Sequence, residues 1–229
     1  SIDDVELKLT AFENYEMLIE NLDNANNIEN MKQWESVIGQ LDSEEQELRD
    51  LAASVIGTAV QNNDVSQKAF LKYSDVAFPK LISLSKDEKN LKALFALSNV
   101  IRNNNESLGV FEKHNGWELL APVLAEESEK LRLKVFSLLG SLLTLEDTTN
   151  VLERIKAHEV VDHVLDSINK DTNNNLVDRS LHLLVTLVNH GYKFTEEESK
   201  KIHNVIGVVD SNFKDVVNSN DLQLLKQVS

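Results

Sequence analysis

The sequence predicts an all-α fold, an armadillo-like right-handed superhelical solenoid of about four to five three-helix repeats with a C-terminal helical cap. Three observations predict it. A helical phrase at residues 48–63 returns at 89–104, a shift of 41, and weaker copies follow after a further 42 and 44 residues. A helical period of about 40 residues is typical of armadillo and HEAT arrays. Only 2 prolines and 7 glycines occur in 229 residues, which favours long helices over strands and tight turns.

The first 46 residues predict two helices and the start of a third. Residues 5–22 form an amphipathic helix in which apolar residues recur at helical spacing: Leu7, Ala11, Tyr15, Leu18 and Leu22. A polar break is expected at 23–27. A shorter helix follows over 28–41, and four of its side chains are expected to face inward: Met31, Trp34, Val37 and Ile38. Ser43 and Gln46 then predict a capping box at the next helix start.

From that point each unit is predicted to have three pieces. Long helices carry the repeated phrase at about 44–61, 88–102, 129–144 and 175–189. Short linking helices are expected at 65–72, 106–113 and 148–156, and closing helices at 75–85, 116–126 and 159–169. Residues 195–229 predict two or three shorter helices that form a terminal cap with a polar outer face. Because no linker interrupts the pattern, one solenoid domain over 1–229 is predicted.

Composition narrows the possible functions. With 41% hydrophobic and 27% charged residues, the chain has the composition of a globular protein. The net charge of -15 argues against binding nucleic acid, which requires Lys and Arg at the phosphates. Residues 1–50 hold 14 acidic and 3 basic side chains. This acidic stretch is either a solvated face or a patch that steers a partly basic partner.

No chemistry-bearing motif is recognisable. The chain has no cysteine, and its 6 histidines lack metal-ligand spacing. No Gly-rich phosphate loop or nucleophile elbow is present, and no apolar run approaches the roughly 18 residues of a membrane span. We therefore expect a protein that is not an enzyme, uses neither cofactor nor metal, and does not enter a membrane.

Asparagine clusters recur at 62–63, 103–105 and 173–175. Asn tolerates the left-handed conformation in which helices end, so these clusters are interpreted as helix C-caps. The alternative is a row of amides that bind a partner's backbone. Peptide-reading armadillo proteins place such Asn residues one turn after a Trp, but here Trp34 and Trp117 are followed at that spacing by Ile38 and Ala121. We expect both tryptophans to pack in the core.

A basic cluster stands out in this acidic chain. Lys130, Arg132 and Lys134 lie near the start of the predicted helix 129–144, and residues 130 and 134 share one face. They are either ordinary exposed helix residues or a stripe that meets an acidic partner.

Four segments carry a resemblance to a known family: 12–30, 56–63, 93–103 and 119–124, of which Asn-Leu-Asp-Asn-Ala-Asn at 21–26 is the most specific. They resemble the fungal cytosolic nucleotide exchange factors for heat-shock protein 70, which belong with the mammalian heat-shock-protein-70-binding protein 1. The resemblance implies a monomeric, cytoplasmic co-chaperone whose concave face wraps the second lobe of the chaperone's nucleotide-binding domain, one to one. It implies accelerated ADP release and substrate release. The flexible N-terminal release segment of the family is expected to be absent.

The resemblance and the repeat ends together suggest partner-binding residues. The family motif supplies Asn24, Ala25 and Asn26, of which Ala25 would permit close backbone approach. The repeat ends and the basic cluster add Asn63, Arg102, Asn103 and Lys134. Two alternatives remain open: an armadillo adaptor that binds peptides without exchange activity, and an ER-lumenal exchange factor. The absence of cysteine and of a retention tail at 226–229 disfavours the second.

Overall fold

The computed structural model describes residues 4–229, and these residues form helices and no strand. The first eight helices are α1 Val5–Ile19, α2 Leu22–Asn30, α3 Trp34–Gly39, α4 Gln46–Val60, α5 Asp64–Leu71, α6 Ser74–Asp87, α7 Leu91–Ile101 and α8 Asn105–Lys113. The next seven are α9 Leu120–Leu124, α10 Glu129–Leu142, α11 Thr149–Ala157, α12 Val160–Asp166, α13 Asn174–Asn189, α14 Glu196–Asn212 and α15 Ser219–Val228. Short 3-10 turns at Gln40–Asp42 and Gly116–Leu119 precede α4 and α9. None of the described helices has both the length and the apolar content needed to cross a membrane.

The chain groups into two compact units. The first runs to Leu119 and includes Ser137–Glu146, and the second comprises Leu120–Phe136 and Asp147–Ser229. The single continuous domain over 1–229 stays a prediction.

In the first unit the long helices α1, α4 and α7 lie side by side. The hydroxyl of Ser54 on α4 donates to the Glu16 carboxylate on α1. Helix α7 approaches α4 at Gly57, where an added Cβ atom would lie 2.4 Å from the Phe95 ring. The absent side chain therefore makes room for the aromatic ring between the two helices.

Aromatic side chains fill the core beneath these helices. Trp34 and Phe70 meet edge to face with ring centroids 5.3 Å apart, and Phe78 lies 6.4 Å from Phe70. Trp117 makes a similar contact with Phe111 at 5.7 Å. Both tryptophans are buried, which confirms the prediction that they pack in the core.

In the second unit α12 packs against α9 and α14, and α13 packs against α15. A buried carboxylate fixes the start of α14. Glu198 is 3% exposed, accepts a hydrogen bond from the Tyr192 hydroxyl at 2.7 Å, and accepts another from the Thr195 backbone amide at 2.7 Å. The Thr195 hydroxyl in turn accepts from the Glu198 amide, which completes a capping box.

The repeated long helices were predicted correctly, since α4, α7, α10 and α13 begin and end within three residues of the expected bounds. The N-terminal predictions were partly wrong. Residues 23–27 are helical because the Asn21 side chain accepts from the amides of Asp23 and Asn24 and starts α2 there. The expected capping box at Ser43 is absent, since Glu45 is the N-cap of α4 and makes no side-chain capping bond.

Burial also differs from expectation at the N-terminal helices. Met31 was expected to face inward but is 62% exposed at the end of α2. Leu7 and Leu18 lie at helical spacing yet are exposed, because α1 packs through the side that carries Ile19, and Leu22 is exposed at the start of α2. At the other end of the chain α14 has 17 residues, so the description of shorter helices there was wrong.

Candidate partner-binding surface

The Asn pairs end one helix and begin the next. Asn62 and Asn103 adopt left-handed backbone conformations, with φ of 51° and 56°, directly after α4 and α7. The following residues, Asn63 and Asn104, are the N-caps of α5 and α8, and their side chains accept from amides one turn on. The prediction that Asn ends these helices in the left-handed conformation is thus confirmed for Asn62 and Asn103, which directly follow the C-caps Gln61 and Arg102, and is wrong for Asn63 and Asn104.

The third cluster has a different role. The side chain of Asn173 accepts from the Asn175 amide and caps the start of α13. The C-cap interpretation is therefore wrong at 173–175, because this cluster precedes a long helix instead of following one.

Asn63 is a buried junction between α5 and α2. Its Nδ2 donates to the Asn26 Oδ1 at 2.9 Å, the Ser66 Oγ at 2.9 Å and the Ala59 carbonyl at 3.1 Å. Asn26 Oδ1 also accepts from the Ser66 hydroxyl at 3.1 Å. Asn63 is 4% exposed and its side-chain amide is fully hydrogen-bonded within the chain. It therefore holds α2 and α5 together and is not itself accessible to a partner. The expected direct contact by Asn63 does not fit this position.

The family motif on α2 divides into a buried and an exposed part. Ala25 is 2% exposed, so its side chain faces the core and the expected close approach at Ala25 does not fit its burial. Asn24 is exposed, and its Nδ2 donates to the Leu18 carbonyl at 2.8 Å. Asn26 is half-buried and held by Asn63. Of the three motif residues, Asn24 is thus the most accessible to a partner.

A polar cleft of about 270 Å³ opens where α4 and α7 end. It is lined by Asn62, Asn63, Asp64, Gln67, Arg102 and Asn103. Its backbone is fixed, because Gln67 Nε2 donates to the carbonyls of Asn99 and Arg102 at 2.7 and 3.0 Å. The backbone N–H of Asn103 donates to the Thr144 hydroxyl at 2.9 Å. The cleft is therefore a preformed surface feature, which lowers the ordering cost of binding.

Three side chains of this cleft are uncommitted. Among residues 4–229, the side chains of Asn62, Arg102 and Asn103 make no hydrogen bond or ion pair within the chain. Arg102 is half-buried and Asn62 and Asn103 are exposed. The cleft thus presents one guanidinium and two amides beside the exposed Asp64 carboxylate, which lies 3.7 Å from the Lys68 ammonium. The guanidinium and the amides suit carboxylates and peptide groups on a partner.

The basic cluster belongs to the second unit. Lys130 is exposed and Lys134 half-buried on α10, while Arg132 Nε donates to the Leu124 carbonyl at 3.2 Å. Asn24, Ala25, Asn26, Asn63, Arg102 and Asn103 all belong to the first unit. The predicted site residues therefore fall into one set around the cleft and one lysine in the other unit.

Three residues that line the cleft are not among the predicted site residues: Asn62, Asp64 and Gln67. Asn62 could have been found from the 41-residue period, which pairs it with Asn103. Gln67 carries no such signal, since the period places Leu108 at the matching position. For metals, no group of three or more His, Asp or Glu side chains in the described part of the chain is placed to hold an ion.

Sequence comparisons identify similar proteins. The profile of the SIL1/FES1/HPBP1 C-terminal domain matches residues 24–192, and the profile of nucleotide exchange factor Fes1 matches residues 2–28. The Hsp70 nucleotide exchange factor FES1 of Eremothecium gossypii is 41% identical over 98% of this chain and 80% of its own length. The proteins of the same name from Kluyveromyces lactis and Saccharomyces cerevisiae are 45% and 39% identical, covering 86% and 98% of this chain and 71% and 80% of their own lengths.

Structural comparisons bear on the fold alone. A designed armadillo repeat protein in complex with the peptide (KR)4 superposes with a TM-score of 0.78 at 13% identity, covering 100% of this chain and 95% of its own. An engineered protein, Northeast Structural Genomics target OR329, gives a TM-score of 0.76 at 15% identity, covering 99% and 90%. The predicted armadillo-type helical solenoid is thereby confirmed.

Proposed function

Because this chain belongs to the SIL1/FES1/HPBP1 family, we propose that it is a nucleotide exchange factor that binds Hsp70 chaperones and accelerates their release of ADP. One observation carries the proposal. Relatives named Hsp70 nucleotide exchange factor FES1 match over 98% of this chain at up to 41% identity, a span that contains the positions of the cleft.

Exchange of this kind needs no chemical step by the protein itself. A ligand that binds an open chaperone conformation more tightly than the closed one shifts the population toward the open form. Linkage then requires the ADP affinity to fall by the same factor by which ADP weakens the binding of the exchange factor. A hundredfold effect corresponds to about 2.7 kcal/mol of coupling. The surface therefore has to be complementary to one chaperone state and need not touch the nucleotide.

We assign the contact to the polar cleft with Asn24, and to Lys134 in the second unit. The uncommitted Arg102, Asn62 and Asn103 side chains support the first assignment, since binding them costs no internal bond. The chaperone's second lobe, a cytosolic chaperone, a one-to-one complex and a cytoplasmic location are further parts of the proposal, and they rest on the resemblance.

Stopped-flow release of a fluorescent ADP from a purified cytosolic Hsp70 tests the proposal. We expect stoichiometric amounts of this chain to accelerate release about tenfold or more, the equivalent of about 1.4 kcal/mol. The double variant Arg102→Gln/Lys134→Gln should lose most of this effect. The matched control Lys113→Gln/Lys226→Gln removes one exposed, ion-paired lysine from each unit and should retain it. Binding without acceleration would instead identify an adaptor. A chain that does not bind Hsp70 and does not accelerate ADP release would refute the proposal.

A further inference from the structure

The outer side of α1 exposes apolar side chains. Leu7 and Leu18 are 58% and 60% exposed, and the neighbouring Met17 is 70% exposed. Leu7, Ala11 and Leu18 follow the i, i+4, i+11 spacing of one helix face, and we call them the α1 stripe. In the described part of the chain, five of the nine large hydrophobic side chains that are exposed lie between residues 7 and 31. Clustered exposure of this kind marks a binding surface, whereas single exposed residues are ordinary.

Within the described residues α1 is the outermost helix of the row formed by α1, α4 and α7. Helix α4 packs against both α1 and α7, whereas the main neighbours of α1 are α2 and α4. The terminal repeat of a solenoid normally turns a polar face outward. The α1 stripe is apolar, so this end of the row has the character of an internal contact between helices. It therefore suits another helix that carries apolar side chains at matching spacing.

A small apolar cleft beside the α1 stripe offers an anchor position. It has a volume of about 250 Å³ and lies between α1 and α3, where it is lined by Ala11, Phe12, Tyr15, Gln33, Ser36 and Val37. The Tyr15 hydroxyl donates to the Gln33 Oε1 at 2.5 Å, so these two polar groups are paired within the chain. The carbon atoms that remain favour an apolar side chain in the cleft. Since Ala11 belongs to both, the apolar cleft continues the α1 stripe.

A line of carboxylates runs along the exposed side of α1. Glu6, Glu13 and Glu20 are exposed and recur every seven residues, which places them on one line of the helix. None of the three makes an ion pair within the described residues. Residues 4–23 carry six carboxylates and one ammonium group, that of Lys8. A ligand for this face is thus expected to carry Lys or Arg beside its apolar side chains.

We propose that the α1 stripe and the apolar cleft bind a basic amphipathic helix of a partner protein, which extends the row of long helices by one. Its apolar side chains cover Leu7 and Leu18 and one of them enters the apolar cleft, while its Lys or Arg side chains pair with the line of carboxylates. A second copy of this chain does not fit, because residues 1–50 hold 14 acidic and 3 basic side chains and two such segments repel each other. This surface shares no lining residue with the polar cleft, and its proposed role is independent of Hsp70 binding.

Fluorescence anisotropy with a labelled synthetic peptide tests the proposal in the absence of any chaperone. The probe is a capped amphipathic helix of Leu and Lys with about 18 residues, and its counterpart has Glu in place of every Lys. We expect the Lys peptide to bind and the Glu peptide not to bind. The stripe variant, Leu7→Gln/Leu18→Gln, should weaken binding about tenfold or more, since it removes two apolar contacts without changing the charge. The matched control Val65→Gln/Val76→Gln replaces side chains that are 53% and 55% exposed on α5 and α6, and it should stay within about twofold.

The line of carboxylates is tested by Glu6→Gln/Glu13→Gln. This variant should weaken binding of the Lys peptide about fivefold at low salt and less at high salt, because exposed charges are screened. The control Glu153→Gln/Glu197→Gln changes the net charge equally through exposed carboxylates of the second unit. Its effect should stay within about twofold.

Four results would overturn the proposal: no binding of the Lys peptide, equal binding of both peptides, an unchanged affinity in the stripe variant, or equal losses in the two carboxylate variants. A dimer of the wild-type chain in sedimentation, dissociated in the stripe variant, would also overturn it, because a second copy would then cover the α1 stripe. None of these measurements involves ADP release, so their failure leaves the proposed function standing.

Discussion

The side-chain amide of Asn63 donates to the side-chain carbonyl of Asn26 across 2.9 Å, and this bond joins the start of α5 to α2. The corresponding cap one repeat later, Asn104, makes only the local bond to the Ser107 amide. The two caps thus share a backbone conformation but differ in the three bonds that Asn63 Nδ2 donates, to Asn26, Ala59 and Ser66. The Asn26 contact ties the family motif on α2 to the edge of the polar cleft.

This difference gives a stability prediction. Asn63→Ala removes a helix cap and leaves Asn26 and Ser66 with fewer partners, so we expect a loss of about 2–4 kcal/mol in the free energy of unfolding. Asn104→Ala removes the cap alone and should cost about 1 kcal/mol. Urea unfolding of both variants measures the difference. Equal losses would mean that the bonds donated by Asn63 Nδ2, including the one to Asn26, contribute nothing.

Gly57 and Gly140 occupy equivalent repeat positions but have different surroundings. A Cβ atom on Gly57 would lie 2.4 Å from Phe95 and 3.2 Å from the Ala96 Cα, whereas nothing lies within 4 Å of one on Gly140. We expect Gly57→Ala to destabilise the protein by about 1–3 kcal/mol through overpacking. Gly140→Ala should stabilise it by about 0.5–1 kcal/mol through helix propensity. Thermal unfolding checks both signs, and a stabilising Gly57→Ala would contradict the close approach of the helices.

Tyr192 is expected to control stability at alkaline pH. Burial and the hydrogen bond to Glu198 raise the pKa of Tyr192, so the tyrosinate forms first in the unfolded chain. This stabilising contribution is complete below the unfolded pKa of about 10 and is lost as the pH rises through the higher folded pKa. Tyr192→Phe should therefore flatten the alkaline decline of stability.

At neutral pH the same variant should cost about 1–3 kcal/mol, because the buried Glu198 carboxylate loses a donor. For this loss at neutral pH Tyr73→Phe serves as a control, since its hydroxyl makes a longer bond of 3.3 Å to the less buried Glu29. Urea unfolding at neutral and alkaline pH measures both effects. A Tyr192→Phe variant with the wild-type pH profile would show that the Tyr192–Glu198 pair has no such role.

The sequence predicted the long helices well because their apolar spacing repeats at 41–44 residues, and a repeated pattern reinforces itself. The start of α2 was missed because five polar residues at 23–27 suggested a loop. Their helix is initiated by the preceding Asn21 side chain and stabilised by burial of Ala25 and Ile28. In this segment tertiary packing overrides local polarity.

The candidate site was only partly predictable. The 41-residue period located Asn103 and the helix ends, and Arg102 followed from its place beside them. The burial of Ala25 and Asn63 depends on the packing of α2 against α5. The sequence pattern does not show which side-chain amides are used in hydrogen bonds between two packed helices.

Lys134 on α10 is proposed to contact the chaperone. Lys134→Gln should weaken binding to an Hsp70 nucleotide-binding domain by about threefold to tenfold, mainly by slowing association. The loss should shrink at high salt, since charges at the edge of an interface are screened. Lys130→Gln is the matched control, because Lys130 lies one turn earlier on α10 and is exposed. It should change affinity less than about twofold. Surface plasmon resonance at two salt concentrations separates the cases. Equal effects of the two variants would mean that only net charge matters and that Lys134 makes no specific contact.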